Sequence, residues 1–282
     1  MQKIDGKKIA RTIQREIKDA VAVASNKPGL AVILVGDDSA SHLYVSLKER
    51  ACQEVGIYFE KHLFTKETCE EQIIEQINQL NRRADIDGIL VQLPLPQQNA
   101  DKIIAAIDPK KDVDGFHQEN LRCLENNEPC LISPVVLGVK KLLEQTKVSL
   151  NGKKAVLVMS QIFAQPFYSV LKQLGATCEI TAADDSRFLE KTKNGDILIT
   201  AVGKPELIDG KMIKPGAIII DVGTTRVGQK VVGDIESQSV EPIAGWLTPV
   251  PGGVGPMTVA MLLWNVLYAS RQHSQQSAGP KS

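Results

Sequence analysis

Five short, predominantly apolar runs constrain the fold of this chain more than any other feature of its sequence. Such runs are typical of strands that are buried on both faces of a parallel sheet. Segments with helical periodicity lie between them, and this alternation predicts an α/β protein with mostly parallel sheets. The runs lie at residues 30–36, 88–93, 155–159, 196–202 and 217–222.

The composition of the 282 residues excludes several classes of protein. Lys+Arg and Asp+Glu number 33 each, so a net charge of zero gives no basic footprint for nucleic acid or an anionic membrane. No apolar stretch reaches the roughly 20 residues that span a bilayer, and the first residues lack the apolar segment of a secretion signal. Five cysteines without a CxxC pair disfavour a disulfide framework or a metal site. We therefore expect a cytoplasmic protein of about two domains without a metal.

The first half of the chain offers a candidate ligand site, because α/β sheets bind ligands at the carboxyl ends of their strands. After the first run, helical periodicity over residues 39–55 predicts an inward-facing stripe formed by Leu43, Leu47, Ala51 and Val55. Tyr44 and Lys48 lie four residues apart and share a helix face about 100° from that stripe. This pair fits the border of a ligand site, and it equally fits an exposed lysine above a half-buried tyrosine.

Two segments of the second half depart from ordinary patterns. The run at 155–159 leads into MSQIFAQP, which lacks the glycines that let the pyrophosphate of a dinucleotide approach the backbone. The segment LTPVPGGVGPMT at 247–258 predicts a loop with a fixed path before a helix at 257–269. It suits either a rigid linker between domains or the wall of a ligand site. The polar residues 271–282 predict a disordered and dispensable tail.

Four motifs, in a fixed order, carry a resemblance to a known family. They are YVSLKERA (44–51), DGILVQLPLP (87–96), KDVDGFH (111–117) and TPVPGGVGPMTVAML (248–262). Together they resemble the bifunctional methylenetetrahydrofolate dehydrogenase/cyclohydrolase family, the FolD proteins, over about residues 5–269.

The resemblance implies two α/β domains. An N-terminal folate-binding catalytic domain would comprise residues 1–133 with 255–282, whose C-terminal helix packs back against it. A Rossmann-like, doubly wound nucleotide-binding domain would comprise residues 134–254. The implied activities are oxidation of 5,10-methylenetetrahydrofolate with NADP and hydrolysis of the methenyl product to 10-formyltetrahydrofolate. A homodimer is also implied.

Side-chain chemistry supports the folate half of this resemblance. Hydrolysis adds water to an electron-poor amidinium carbon and moves protons, which a lysine of lowered pKa beside an amide oxygen can do. The matching positions assign catalytic roles to Tyr44, Lys48, Gln92 and Asp114. They assign substrate contacts to Tyr44, Asp114, Ser41, Pro251, Gly252, Gly253 and Val254. They assign cofactor contacts to Ser160, Gln161, Ile162, Thr224 and Thr258.

The cofactor half departs from the family pattern. The family usually has a Gly-x-Ser turn, whereas here one residue is missing and Met159 stands where the glycine is expected. Asp184 and Asp185 lie after the next strand, where the family places a serine that helps to hold the 2′-phosphate, and carboxylates repel a phosphate. We therefore expect NADP binding to be weakened or lost, and NAD use stays open.

These departures leave rival functions. A cyclohydrolase alone, or a folate-binding protein without turnover, would keep the folate site, but binding alone does not require Lys48. A dehydrogenase for an unrelated small acid would leave the motifs at 87–96 and 248–262 without a role.

Overall fold

The structure of the protein is a computed structural model that describes the backbone of residues 1–277 and the side chains of residues 1–274. The described chain divides into two compact units. The three-stranded unit comprises Arg11–Pro134 with Val259–Ser282, and the six-stranded unit comprises Met1–Ala10 with Val135–Thr258.

The strands and helices alternate along most of the chain. The strands are β1 (Gln2–Lys3), β2 (Gly29–Val35), β3 (Tyr58–Phe64), β4 (Gly88–Val91), β5 (Lys154–Val158), β6 (Thr177–Thr181), β7 (Ile197–Thr200), β8 (Ile218–Asp221), β9 (Thr225–Val227), β10 (Lys230–Val232) and β11 (Trp246–Leu247). The helices are α1 (Gly6–Ala22), α2 (Ser39–Val55), α3 (Glu70–Arg82), α4 (Ala100–Ile104), α5 (Gln118–Glu125), α6 (Pro134–Gln145), α7 (Gln161–Gln173), α8 (Phe188–Lys193), α9 (Ser237–Val240) and α10 (Val254–Ser277). This alternation confirms the predicted α/β class.

The three-stranded unit is built on a parallel sheet of order β3-β2-β4. All seven residues of the central strand β2 are buried, which is why its sequence is an unbroken apolar run. Helix α3 covers one face of the sheet with its buried residues Ile73, Ile77 and Leu80. Strands β2 and β4 end next to each other, since the Gln92 amide donates to the Ile33 carbonyl at 2.9 Å.

Helix α2 turns a different face inward from the one predicted. Leu43 and Leu47 are 56% and 45% exposed, so the predicted stripe is wrong at these two positions although Ala51 and Val55 are buried. The buried face contains Ser41, Val45, Cys52 and Val55, which follow spacings of three and four residues once Lys48 is included. The prediction was wrong because it placed Leu43 and Leu47 on the inward face, whereas Lys48 lies on that face.

The six-stranded unit is built on a parallel sheet of order β1-β11-β8-β7-β5-β6. The chain runs from β5 to β6 on one side and then crosses to β7 on the other, so the strand order reverses between β5 and β7. Doubly wound sheets bind nucleotides at such a switch point. Strand β1 pairs with β11, which places residues 1–10 in this unit, whereas the sequence analysis grouped them with residues 11–133.

Other elements were missed or begin elsewhere than expected. Sequence patterns gave no indication of β3, of the small helices α4 and α5, or of the β9–β10 hairpin. Helix α7 begins at Gln161, within the segment MSQIFAQP, because the Ser160 hydroxyl caps it by accepting from the Phe163 amide. Helix α10 begins at Val254 and takes Pro256 into its first turn. Over the described residues, no helix is long and apolar enough to span a membrane.

The prediction of a disordered tail from residue 271 is wrong over its first seven residues. Helix α10 continues to Ser277, and residues 278–282 lie outside the described part of the chain. His273 Nδ1 lies 3.0 Å from Asp87 Oδ1, and Asp87 Oδ2 accepts from the Gly29 amide at 3.0 Å. Asp87 is buried, so the histidine ties the end of α10 to the amino end of the three-stranded sheet.

Truncation after Ser270 is therefore expected to lower the melting temperature by about 5 °C. Loss of a hydrogen bond to a buried carboxylate costs about 1.5–3 kcal/mol, and each kcal/mol shifts the melting temperature by about 2–4 °C in a chain of this size. Calorimetry of the full chain, of the truncated chain and of His273→Ala measures the effect. Truncation after Ser277 is the matched control and should change nothing. Equal melting temperatures for all four proteins would restore the original prediction of a dispensable tail.

Candidate active site

A lysine and a glutamine meet where strands β2 and β4 end. Lys48, from the middle of α2, donates from Nζ to Gln92 Oε1 at 2.9 Å. Gln92 follows β4, and its Nε2 donates to the Leu93 carbonyl at 2.7 Å. This second hydrogen bond fixes the amide so that its oxygen faces the lysine. The predicted pair is therefore formed within the three-stranded unit.

The surroundings of Lys48 alter its acid–base properties. The lysine lies in the middle of the buried face of α2, one turn before the buried Cys52. Burial lowers the pKa of Lys48, because a charged ammonium is poorly solvated there, and the negative charge of Asp114 opposes this effect. A lysine whose pKa is lowered toward neutrality can exchange a proton with a bound ligand.

The charge of Lys48 influences the pKa of Asp114, the carboxylate predicted for this site. Burial raises the pKa of Asp114 to about 6, Lys48 opposes that rise, and the charge of Asp112 adds to it. The side chain is only partly exposed, in the loop between α4 and α5. The structure thus places Lys48, Gln92 and Asp114 in one polar site.

Two side chains that sequence reasoning missed hold the loop that carries Asp114. Asp112 is buried and accepts from the amides of Gly115 and His117 and from Asn120 Nδ2, at 2.8–3.2 Å. Asn265 of α10 donates from Nδ2 to the carbonyls of Val113 and Ile132, at 2.8 Å each. The motif KDVDGFH contains Asp112, although the sequence does not indicate its role in holding the loop. Nothing in the sequence pairs Asn265 with a loop some 150 residues earlier.

The two other α2 residues of the prediction differ in environment. Tyr44 is half exposed, so its ring is accessible for a flat ligand. Ser41 is buried in the first turn, where its amide donates to Asp38 Oδ2 at 2.7 Å. The predicted substrate contact of Ser41 stays a prediction.

The predicted turn at Pro251, Gly252, Gly253 and Val254 lies in the six-stranded unit. Gly252 has a φ of +110°, which favours glycine, and its carbonyl accepts from the Lys7 amide at 2.9 Å. A Cβ on Gly253 would lie 2.6 Å from the Pro249 carbonyl oxygen, so packing within the unit already requires this glycine. Val254 is buried as the first residue of α10. The approach of this backbone to a ligand stays a prediction.

The predicted cofactor residues lie in the six-stranded unit and not all at one place. The turn between β5 and α7 consists of Met159 and Ser160 alone, followed by Gln161 and Ile162 in the first helical turn. Ile162 is 91% exposed at this helix end, and Thr224 is exposed after β8. Thr258 lies in α10, where its hydroxyl donates to the Val254 carbonyl at 3.3 Å.

Met159 and Asp185 do not act against a dinucleotide in the way that their sequence positions predicted. Met159 is only 4% exposed, so its side chain points into the protein and not into the turn. Asp185 is paired with Lys191, whose Nζ lies 2.7 Å from its Oδ2, and this partner holds the pKa of Asp185 at about 2. The charge of Asp185 is thereby compensated, whereas Asp184 is exposed at the end of β6.

Metal chemistry has no support among the described side chains. No group of three or more His, Cys, Asp or Glu residues within residues 1–274 is arranged to hold a metal ion.

A doubly wound sheet in one unit and a lysine–amide–carboxylate site in the other define a two-unit α/β protein of the nucleotide-binding class. The family model of the tetrahydrofolate dehydrogenase/cyclohydrolase catalytic domain matches residues 4–114, and that of the NAD(P)-binding domain matches residues 133–274. The chain belongs to this family, which confirms the resemblance carried by the four motifs.

Known proteins are similar over nearly the whole chain. The bifunctional protein FolD of Moorella thermoacetica is 47% identical, over 96% of this chain and 99% of its own. The bifunctional FolD enzyme of Campylobacter jejuni superposes with a TM-score of 0.94 at 36% identity, covering 96% of this chain and 99% of its own. The Trypanosoma brucei enzyme, solved with NADP and an inhibitor, gives 0.92 at 30% identity, covering 96% and 97%.

Proposed function

We propose that this protein oxidises 5,10-methylenetetrahydrofolate to 5,10-methenyltetrahydrofolate and hydrolyses the latter to 10-formyltetrahydrofolate. The observation that carries the proposal is the 2.9 Å hydrogen bond between Lys48 and Gln92, made by a lysine whose pKa burial lowers. Family membership over both units supports the same pair of activities.

Hydrolysis follows from the properties of Lys48. Water adds to the electron-poor carbon between the two folate nitrogens, and the lysine in its neutral form accepts the proton that the water releases. The same group then returns a proton to the folate nitrogen from which the carbon departs, while the added hydroxyl loses its own proton to solvent and becomes the formyl carbonyl. Gln92 orients the amine through its fixed amide oxygen, and Asp114 accepts hydrogen bonds from the amino-pyrimidine edge of the pterin.

The oxidation draws on the six-stranded unit. A nicotinamide dinucleotide supplies the hydride acceptor for this step when it is bound. The switch point between β5 and β7 and the amino end of α7 suit such a ligand, since free helix amides favour its pyrophosphate. The Ser160 hydroxyl already accepts from one of these amides, that of Phe163.

We expect the protein to bind NAD more tightly than NADP. Asp184 is exposed at the carboxyl end of β6, where an acidic side chain suits the ribose hydroxyls of NAD and repels a 2′-phosphate. The nearby Lys191 is held by ion pairs with Asp185 and Glu179. NADP binding would then be weak relative to the family.

We further propose a homodimer, as the family resemblance implies, and a cytoplasmic protein without a metal, as the cysteine pattern indicates. Analytical ultracentrifugation of the purified protein tests the oligomeric state.

A pair of absorbance assays on the purified protein tests the central proposal. One assay follows the loss of methenyltetrahydrofolate without added nucleotide, and the other follows methylenetetrahydrofolate oxidation with NAD or NADP. Activity in both assays is expected. Hydrolysis without any oxidation would reduce the function to a cyclohydrolase, and inactivity in both with retained folate binding would leave a binding protein.

The pKa of Asp114 predicts how folate affinity depends on pH. As the pH falls through about 6, this carboxylate takes up a proton and loses its charge-assisted hydrogen bonds, so affinity should fall. Asp114→Asn should remove this dependence and weaken binding by about fivefold at pH 7.5, since a charged acceptor contributes about 1 kcal/mol more than a neutral one.

Calorimetric titration with 5-formyltetrahydrofolate, a stable folate that does not turn over, measures this effect. Asp37→Asn, which removes an exposed carboxylate of the same unit, is the control and should keep the wild-type profile. Unchanged affinity in Asp114→Asn at both pH values would exclude Asp114 from the folate site.

A further inference from the structure

Two buried carboxylates lie in the six-stranded unit, apart from the Lys48 site. Asp234 is fully buried, and Asp221, the last residue of β8, is 3% exposed. Neither forms an ion pair with a basic side chain within residues 1–274. Their oxygens instead accept from hydrogen-bond donors, most of which are backbone amides.

Asp234 holds the loop that follows β7. Its Oδ2 accepts from the Thr200 hydroxyl at 2.7 Å and from the Val202 amide at 2.6 Å, and its Oδ1 accepts from the Lys204 amide at 2.9 Å. Thr200 is the last residue of β7, and the two amides belong to the loop itself. One carboxylate therefore holds residues 200–204 at three points, one of them a side-chain hydroxyl and two of them backbone amides.

Asp221 in turn holds the segment that carries Asp234. Its Oδ1 accepts from the amides of Gly223 and Asp234, at 3.0 and 3.2 Å, and its Oδ2 accepts from the Ile235 amide at 3.0 Å. A Cβ on Gly223 would overlap the Asp234 carboxyl group, and one on Gly233 would overlap that of Asp221. The two carboxylates and the flanking glycines thus form one closely packed assembly.

The loop held by Asp234 borders the place where a dinucleotide would bind. The strand order reverses between β5 and β7, and ligands of doubly wound sheets bind at the carboxyl ends of strands at such a point. Gly203, in the middle of the loop, has a φ of +72°, and a Cβ there would meet no atom within 4 Å. The Thr225 hydroxyl donates to the Gly203 carbonyl at 3.1 Å. The loop is therefore held from within while its glycine faces open space.

We propose that Asp234 is a positioning residue for the dinucleotide, because it fixes the loop after β7 in the one conformation against which the ligand binds. This inference rests on the proposed oxidation. A preformed loop does not have to be ordered when the ligand binds, so removal of its support weakens the affinity for the dinucleotide. The Lys48 site lies in the other unit, and hydrolysis without nucleotide should not depend on Asp234.

Asp234→Asn tests the role of the charge. The variant should raise the KM for NAD, or for whichever dinucleotide the wild type prefers, by about tenfold, with a smaller change in kcat. Its rate of methenyltetrahydrofolate hydrolysis without nucleotide should stay within about twofold of wild type. Asp196→Asn is the matched control: Asp196 directly precedes β7, at the amino end of that strand, and accepts from the Lys154 amide at 2.9 Å and from Lys214 Nζ at 2.7 Å. Its KM for the dinucleotide should not change.

Thr200→Val is the second variant, and it keeps the experiment decisive if Asp234→Asn does not fold. It removes one donor to Asp234 at nearly constant side-chain volume and should raise the same KM about threefold or more. A wild-type KM in every folded variant would overturn the inference, as would an equal rise in Asp196→Asn or a parallel loss of hydrolysis. If the wild type itself binds neither NAD nor NADP, the proposed oxidation fails, and this inference fails with it.

Discussion

Lys48→Met is expected to lower the rate of methenyltetrahydrofolate hydrolysis by about 100-fold or more, the usual scale for loss of a general acid or base. Methionine keeps the length of the side chain and suits the buried face of α2, but it cannot exchange a proton. Folate affinity should change little, because Tyr44 and Asp114 remain. Stopped-flow absorbance measures hydrolysis, and calorimetry with 5-formyltetrahydrofolate measures binding.

Lys48→Arg separates proton transfer from charge. Arginine stays protonated at any pH at which the protein is folded, so it keeps the positive charge near Asp114 and loses the ability to accept a proton. We expect it to be as inactive in hydrolysis as Lys48→Met. Near-normal hydrolysis in the arginine variant would show that the charge alone is needed, and near-normal hydrolysis in both would remove Lys48 from the mechanism.

The second large effect concerns the choice of dinucleotide. NADP is expected to bind at least about tenfold more weakly than NAD, because a carboxylate near the 2′-phosphate costs on the order of 1–2 kcal/mol. Asp184 is the exposed carboxylate at the end of β6, and Asp185 adds little because Lys191 compensates it. Asp184→Ser should therefore improve NADP binding by about tenfold and leave hydrolysis unchanged.

Calorimetric titration of both nucleotides decides the cofactor preference. Glu241→Gln removes an exposed negative charge elsewhere in the same unit and serves as the control for a general change of charge. Its NADP affinity should match that of the wild type. Low-micromolar NADP affinity in the unmodified protein would show that other groups, such as Gln161 or Lys204, rebuild the phosphate site.

The sequence predicted those strands well whose residues are selected mainly by burial of apolar side chains. Strands β2, β5 and β8 are buried on both faces, so their apolar runs identify them directly. Strand β3 lies at a sheet edge with alternating exposure, and its sequence YFEKHLF carries only a weak signal. The first turn of α7 has no helical hydrophobic pattern and depends on a single serine cap, so the sequence does not indicate where this helix begins.

Only those residues of the candidate site whose roles the four motifs indicate could be predicted from the sequence. Lys48, Gln92 and Asp114 were expected together, and they are found in one site. Asp234 and Asn265 were not expected, since their partners lie about 30 and about 150 residues away and a single sequence does not show such pairings. The orientation of α2 was mispredicted for a related reason: hydrophobicity alone places a lysine outside, whereas this lysine is part of the inner face.

At the position of Lys48, folding stability and hydrolysis favour different side chains. An apolar side chain in the middle of the inner face of α2 would bury more hydrocarbon and avoid the desolvation of an amine, so it would make the three-stranded unit more stable. The same change would remove the only basic group of that helix face within reach of the Gln92 amide oxygen. Variants chosen for heat resistance alone should therefore gain stability and lose hydrolysis at this position.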